Sequence, residues 1–328
     1  MAYKFKVWTD GNREYFQWGI LENKHDKKLT NKKDFEFTQS LLALLDLNMD
    51  DFYEPTGKMG EMIKVLYGKP DGSGDTFNLR RAFDSLARKH IFFEFLRIDW
   101  IDRIDRYERK DFEGSVDRLM WYKDITWIPS NIGTWQNQIK DLLKKALDGT
   151  ARDKTVQKAT ADLYKGYDGS LALFSFSPLS TGFERVANDT MAEVLYPRSI
   201  LDMTDFLLRE IIKREVSFKI CKSCGKYFPA IAHGNTEFCN RLFQDTGKTC
   251  RDIGSLAKWR EKVAASPAIL LYNKHYKTRF SRIRAGKITR EIFQEWAALA
   301  RDYRDKVMND EKTLEEFEDW LKSGRWVE

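Results

Sequence analysis

Ile220-Cys-Lys-Ser-Cys-Gly-Lys-Tyr-Phe228, Glu237-Phe-Cys239 and Gly247-Lys-Thr-Cys-Arg-Asp-Ile-Gly254 decide how this chain is read. They contain all four cysteines of its 328 residues, in the pattern Cys-x2-Cys-x14-Cys-x10-Cys. Two thiolates separated by two residues can reach one ion from a tight turn, and Gly225 tolerates the positive φ such a turn demands. Cys250 falls where Thr249 can open a helix, and a helix N-terminus stabilises thiolate charge. Zinc prefers four tetrahedral ligands, thiolate among the best. The expectation is one structural zinc ion on Cys221, Cys224, Cys239 and Cys250, in a knuckle hairpin followed by a ligand on a helix's first turn, a treble-clef-like plan. An iron–sulfur cluster uses four cysteine thiolates as well, and His233 is a spare ligand between the pairs. Four cysteines leave no open position for a catalytic metal, and neither His-x-Glu nor His-Glu-x-x-His occurs in the chain.

Working toward the N-terminus, Ser199 with Asp202 makes a capping-box-like start for a helix with Leu201, Leu208 and Ile211 on its apolar face. The chain opens as a β-hairpin, with Tyr3, Phe5 and Val7 alternating, Asp10-Gly-Asn12 as turn and Glu14 to Ile20 as return strand. The spacing of Ile91, Phe95 and Ile98 predicts one long helix from about Asn78 to Tyr107. Trp135, Ile139, Leu142 and Ala146 mark another, ending near Gly149. Residues 149–170 read as a polar link, and Leu171 to Leu179 and Met191 to Tyr196 as short strands.

Toward the C-terminus every signal is helical. Thr249 caps a helix to about Ala264, Ser266-Pro267 opens the next, and Thr289 caps a third with Phe293, Trp296, Ala300, Tyr303 and Val307 along one buried face. Thr313 with Glu316 caps a short last helix. The fold class is α+β, mainly helical. Three regions are expected: a sensing or scaffold domain at 1–195, the zinc module with basic helices at 196–290, and an amphipathic helical tail at 291–328.

Charge is unevenly spread. The net charge of +6 conceals a stretch, residues 211–290, with 18 Lys/Arg against five Asp/Glu. Such a region is the footprint of an anionic partner, nucleic acid foremost. Lys274, Lys277, Arg279, Arg282 and Arg284 are interleaved with Tyr272, Tyr276 and Phe280, and Lys287 follows. Lys248, Arg251 and Lys258 add cations beside the cysteines. These nine are the candidate phosphate contacts, while the aromatics are expected to pack inward.

Other constellations carry less. Gly247-Lys248-Thr249 lacks the earlier glycine of a phosphate-binding loop, since position 242 is Leu. Asp99, Asp102, Asp105 and Glu108 alternate with arginines and read as a salt-bridged face. His90 reads as a core or boundary histidine, and His275 has no nucleophile or metal pattern beside it. No catalytic motif is present, so a non-enzyme is favoured. No apolar run approaches the roughly 20 residues that span a bilayer, and no signal core opens the chain, so the expected compartment is the cytoplasm, with no membrane partner.

Lys219 to Phe228, Glu237 to Cys239 and Gly247 to Gly254 together resemble a bacterial family of unknown function that ends in a CxxCGxYF…YC…GKTCRxxG module. More distantly the chain is similar to the CGNR zinc-finger proteins, regarded as stress-linked transcription regulators. The likeness covers roughly residues 195–325 and implies that the four cysteines ligate metal. Thr249-Cys-Arg-Asp252 stands where the CGNR tetrapeptide would be. The reading that results is a zinc-dependent protein binding DNA or RNA, a regulator or a mobile-element or defence accessory. The alternative is a protein-interaction or ligand-sensing adaptor in which zinc is only structural.

Overall fold

The computed structural model describes residues 2–21, 31–148, 154–167, 169, 172–187, 190–230 and 236–323. The chain forms two compact units, Met1–Ile220 with Lys226–Thr236, and Cys221–Gly225 with Glu237–Glu328.

The first unit begins with β1 (Ala2–Thr9), β2 (Arg13–Leu21) and β3 (Asn31–Glu36). Helices α1 (Gln39–Leu45), α2 (Asp50–Tyr67), α3 (Phe77–Ala87) and α4 (Ile91–Arg109) follow. Two single-turn helices, α5 (Val116–Leu119) and α6 (Lys123–Thr126), lead to α7 (Ile128–Lys145) and α8 (Val156–Leu163). The chain then returns to the sheet as β4 (Thr181–Ala187) and β5 (Thr190–Leu195), runs through α9 (Ile200–Lys213), and makes the short pair β6 (Phe218–Ile220) and β7 (Tyr227–Pro229).

The five long strands form one antiparallel sheet in the order β3-β2-β1-β5-β4. Alternation puts Phe5, Val7, Phe16 and Leu195 on the face that enters the core. There Phe16 meets Phe92, and Phe5 meets Phe95, from α4. Helix α4 therefore serves as the central rod, its Trp100, Ile104 and Tyr107 fully enclosed among the surrounding helices.

Several elements differ from expectation. The helix predicted from Asn78 to Tyr107 is two helices, because His90 adopts an extended backbone (φ −159, ψ 147) and caps α4 through its own ring, Nδ1 accepting from Phe92 N. Helical periodicity on both sides of a cap looks continuous in sequence. The strand expected at Leu171 to Leu179 is absent among the described residues there, 172–179. Instead Phe174 is buried, its carbonyl accepts from the Tyr164 hydroxyl, and Ser177 N donates to Asp205. β3, α2 and α8 were not foreseen. The face of Asp99, Asp105 and Glu108 is salt-bridged, but part of its compensation comes from the preceding helix: Arg80 binds Asp105 and Glu108 at 2.7 Å each. Arg103 takes Asp99 at 2.9 Å.

The second unit holds a 3-10 turn (Gln244–Thr246) and helices α10 (Cys250–Ala265), α11 (Pro267–Arg284), α12 (Arg290–Met308) and α13 (Leu314–Ser323). The helix starts follow the sequence closely. Ser266 and Thr289 cap α11 and α12 through their side chains, and Thr313 and Glu316 exchange reciprocal bonds ahead of α13. Its core is Tyr272, Phe293, Trp296, Ala297, Ala300, Phe317 and Leu321. The stripe read from sequence on α12 is the stripe that packs. Among the described residues, no helix is long and apolar enough to cross a membrane.

Candidate metal centre and basic helices

The four cysteines converge. Their sulfurs all lie within 4.8 Å of one another, and Cys224 Sγ is 3.7 Å from Cys239 Sγ. All four are unbridged thiols, and Cys221, Cys239 and Cys250 are buried. A tetrahedral ion with bonds of about 2.3 Å places its sulfur ligands about 3.8 Å apart. The donor set and its spacing therefore fit one metal ion.

Local sequence builds this arrangement. Gly225, at φ +72, lets its N–H return to Cys221 O at 2.8 Å, which closes the first knuckle. Phe243 N donates to Lys248 O at 2.9 Å and Gly247 turns at φ +65, so the chain between the third and fourth cysteines doubles back on itself. Cys250 N then donates to Arg241 O at 2.8 Å, and Arg251 N to Cys239 O at 3.0 Å. Thr249 and Asp252 cap α10 reciprocally, at 3.2 and 3.1 Å. The two halves are joined by Lys222 N donating to Glu237 O at 3.0 Å and by Cys239 N donating to Cys221 Sγ at 3.4 Å.

Gly254 has a steric reason. A Cβ there would come within 2.3 Å of the Phe238 ring, which packs directly against this glycine in the second turn of α10. Phe238 immediately precedes Cys239, so this contact sets how the third ligand approaches the helix that carries the fourth.

Electrostatics set the four thiols against one another. Burial raises the Cys250 and Cys239 thiols, and neighbouring cysteines push in the same direction. Burial also acts on Cys221, but backbone N–H groups of Cys239, Cys224 and Ser223 outweigh it and hold the thiol at about 7. Four thiolates cannot share this volume without a cation between them. His233 lies outside the described residues.

Of the nine nominated cations, Lys248, Arg251, Lys274, Lys277, Arg282, Arg284 and Lys287 are exposed. Two need correction. Arg279 is buried: it donates to Leu321 O at 3.2 Å and its guanidinium lies 4.8 Å from the Trp296 ring centre. It joins α11 to α13 and is not available to phosphate. Lys258 is exposed, yet its Nζ is 2.5 Å from Glu237, which also takes Lys222 at 3.1 Å. The sequence alone nominates Lys258 for phosphate because Glu237, on a different segment, is not its neighbour along the helix. The aromatics largely turn inward, Tyr272 fully and Tyr276 in part, while Phe280 remains 44% exposed.

Sequence reasoning overlooked a buried polar cluster in the first unit. Glu14 is fully enclosed and accepts the Ser40 N–H, capping α1 from a neighbouring strand because Thr38, at φ +79, makes no side-chain cap. Burial lifts the Glu14 carboxyl to about 7 against the pull of that N–H. His90 Nε2 lies 2.9 Å from Ser40 O, and with Nδ1 accepting from Phe92 N the ring is a neutral Nε2–H donor. Burial holds it at about 4. The signal for Glu14 was present: it shares its strand period with Phe16 and Trp18 and so had to face inward. Beside this cluster lies a cavity of about 610 Å³ lined by Trp18, Phe35, Lys33, Arg88 and His90 among others.

A family of unknown function, DUF6076, matches residues 181–325. The matched span begins at β4 and so includes two strands of the sheet and α9 as well as the cysteine cluster and the helices after it. No curated protein and no solved structure matches the chain.

Proposed function

We propose that Cys221, Cys224, Cys239 and Cys250 hold one structural zinc ion in a treble-clef-like module, and that the helices after it bind nucleic acid through phosphate contacts. The observation that carries the reading is the coincidence of a closed four-sulfur cluster with a surface of exposed, unspent cations in the same unit. Among the described residues no ion pair holds the heads of Lys274, Lys277, Arg282, Arg284 or Lys287. An ordinary solvated face gathers carboxylates at helical spacing, as α2 does with Glu54–Lys58 and Glu61–Lys64; this one does not.

Zinc is favoured over an iron–sulfur cluster because the sulfurs all sit within 4.8 Å of one another, close to the spacing of about 3.8 Å around one tetrahedral ion, whereas a cluster spreads its thiolates over several irons. Bound zinc would neutralise thiolate charge and fix α10 relative to the knuckle; it would do no chemistry, since no ligand position is open. Four reduced thiols suit a reducing compartment, the cytoplasm.

The test is metal analysis of the purified chain together with DNA and RNA binding across a salt series. Each phosphate neutralised contributes about −0.9 to the slope of log K against log[salt] on duplex DNA. Replacing Lys274, Lys277, Arg282 and Arg284 by Ala should flatten that slope by about 3–4. A salt-independent affinity, or a slope the substitutions leave unchanged, would refute the reading.

The cavity beside His90 favours a second reading, a ligand-sensing adaptor in which zinc is only a brace. An absorbance ratio showing co-purified nucleic acid separates the two.

A further inference from the structure

Helix α11 carries a second chemistry besides charge. Between α11 and α12 lies a groove of about 410 Å³, within the range of about 300–1,000 Å³ typical of ligand sites. Its aromatic wall is Tyr272, Tyr276, Phe280 and Phe293. The Tyr276 and Phe280 rings are nearly parallel, 6° apart with centroids 6.3 Å apart, and Phe293 meets each of them edge-on at 5.0 and 5.6 Å. Phe280 is thus a ring held in a fixed orientation while 44% exposed.

Both edges of the groove are polar. On α12, Arg290, Gln294 and Arg301 line it; at about 100° per residue they fall within roughly 40° of arc on one side of the helix. On α11, the same rule puts Lys277 and Arg284 within roughly 60° of Phe280, and the Arg284 guanidinium lies 5.8 Å from the Phe280 ring centre. Asn273 adds an amide, and the residues lining the groove include two arginines and no carboxylate.

Ring faces between two cationic rims match one kind of anion. A duplex keeps its base faces stacked inside and offers only edges and phosphates to a protein. An acidic peptide would use the cations and leave the rings idle. An unpaired strand offers flat base faces to aromatic side chains, base edges to amides and phosphates to the rims. We infer that the α11–α12 groove binds single-stranded nucleic acid, with unpaired bases stacked against Phe280 and Tyr276 and the backbone running along Lys277 and Arg284 on one side and Arg290 and Arg301 on the other. This rests on the nucleic-acid reading above and specifies its substrate class.

The test uses the full zinc-loaded chain, fluorescently labelled oligo(dT) of about 16 nucleotides and the corresponding duplex, with anisotropy read at one fixed salt concentration. Single strand should bind more tightly than duplex. Phe280→Ala removes a half-exposed ring and should weaken single-strand binding by about 5- to 150-fold, the range for loss of one stacked base, while leaving duplex binding unchanged. Phe280→Tyr should restore it, which a general unfolding would not allow. Duplex binding equal to or tighter than single strand, or a Phe280→Ala protein indistinguishable from wild type, overturns the inference and leaves the nucleic-acid reading standing. No binding to either form at low salt overturns both. Displacement of oligo(dT) by poly-glutamate that is insensitive to Phe280→Ala would make the groove a cationic docking face and likewise overturn the inference.

Discussion

Replacing Glu14 by Gln tests the buried cap of α1. Glu14 would titrate near 4.5 in an unfolded chain and titrates at about 7 in the folded one, because burial opposes its charge. The folded state therefore holds the proton more tightly. The stability this contributes is complete below pH 4.5 and is lost as pH rises through 7. At about 1.4 kcal/mol per unit, wild type loses about 2–3 kcal/mol from this group between pH 5 and pH 8. Gln keeps an oxygen for the Ser40 N–H and cannot ionise. The stability of the variant relative to wild type should therefore rise by about 2–3 kcal/mol over the same interval, whatever its offset at pH 5. The assay is urea unfolding of both proteins, zinc-loaded, at unit steps of pH, with hydrogen exchange of peptides spanning β2 and α1 identifying the transition of the first unit. A stability difference that stays flat from pH 5 to pH 8, or falls, would refute the argument that Glu14 is ionised at a cost.

His90 gives the opposite dependence. Its folded value of about 4 lies below the ordinary 6.5, so its contribution is present above pH 6.5 and lost as pH falls through 4; His90→Gln should flatten that acid limb, read by the same unfolding series. Gly254→Ala gains about 1 kcal/mol of helix propensity but places a methyl against the Phe238 ring, and should lower the stability of the second unit, measured with zinc added, by about 1–3 kcal/mol net in thermal unfolding. Chelation, or Cys250→Ser, should cost the second unit its protection from hydrogen exchange while β1, β2 and α4 keep theirs. Glu237→Gln releases Lys258 and Lys222 from their shared carboxylate and should steepen the salt dependence of the proposed nucleic-acid binding, whereas Arg279→Ala should lower the melting temperature and leave that slope unchanged.

The sequence by itself determined what depends on near neighbours along the chain. Ser199, Thr249, Ser266, Thr289 and Thr313 each start the helix they were read to start, because a cap is satisfied within three residues. The alternation of Phe5 and Val7 fixed the first hairpin, and the i, i+3, i+4 stripe of Phe293, Trp296 and Ala300 fixed the buried side of α12. The cysteine spacing marked the four groups that meet, since thiols gathered in 30 residues around two tight turns have little room to do otherwise. Tertiary structure alone decided the rest. It brought β5 against β1 across most of the chain, put Glu14 at the head of α1, supplied Arg80 to the acids of α4, and laid Phe238 on Gly254. It also separated the cations that are free from those that are spent, burying Arg279 under α13 and pairing Lys258 with Glu237. Those choices are made by desolvation and by partners tens or hundreds of residues away, and no periodicity of a single segment records them.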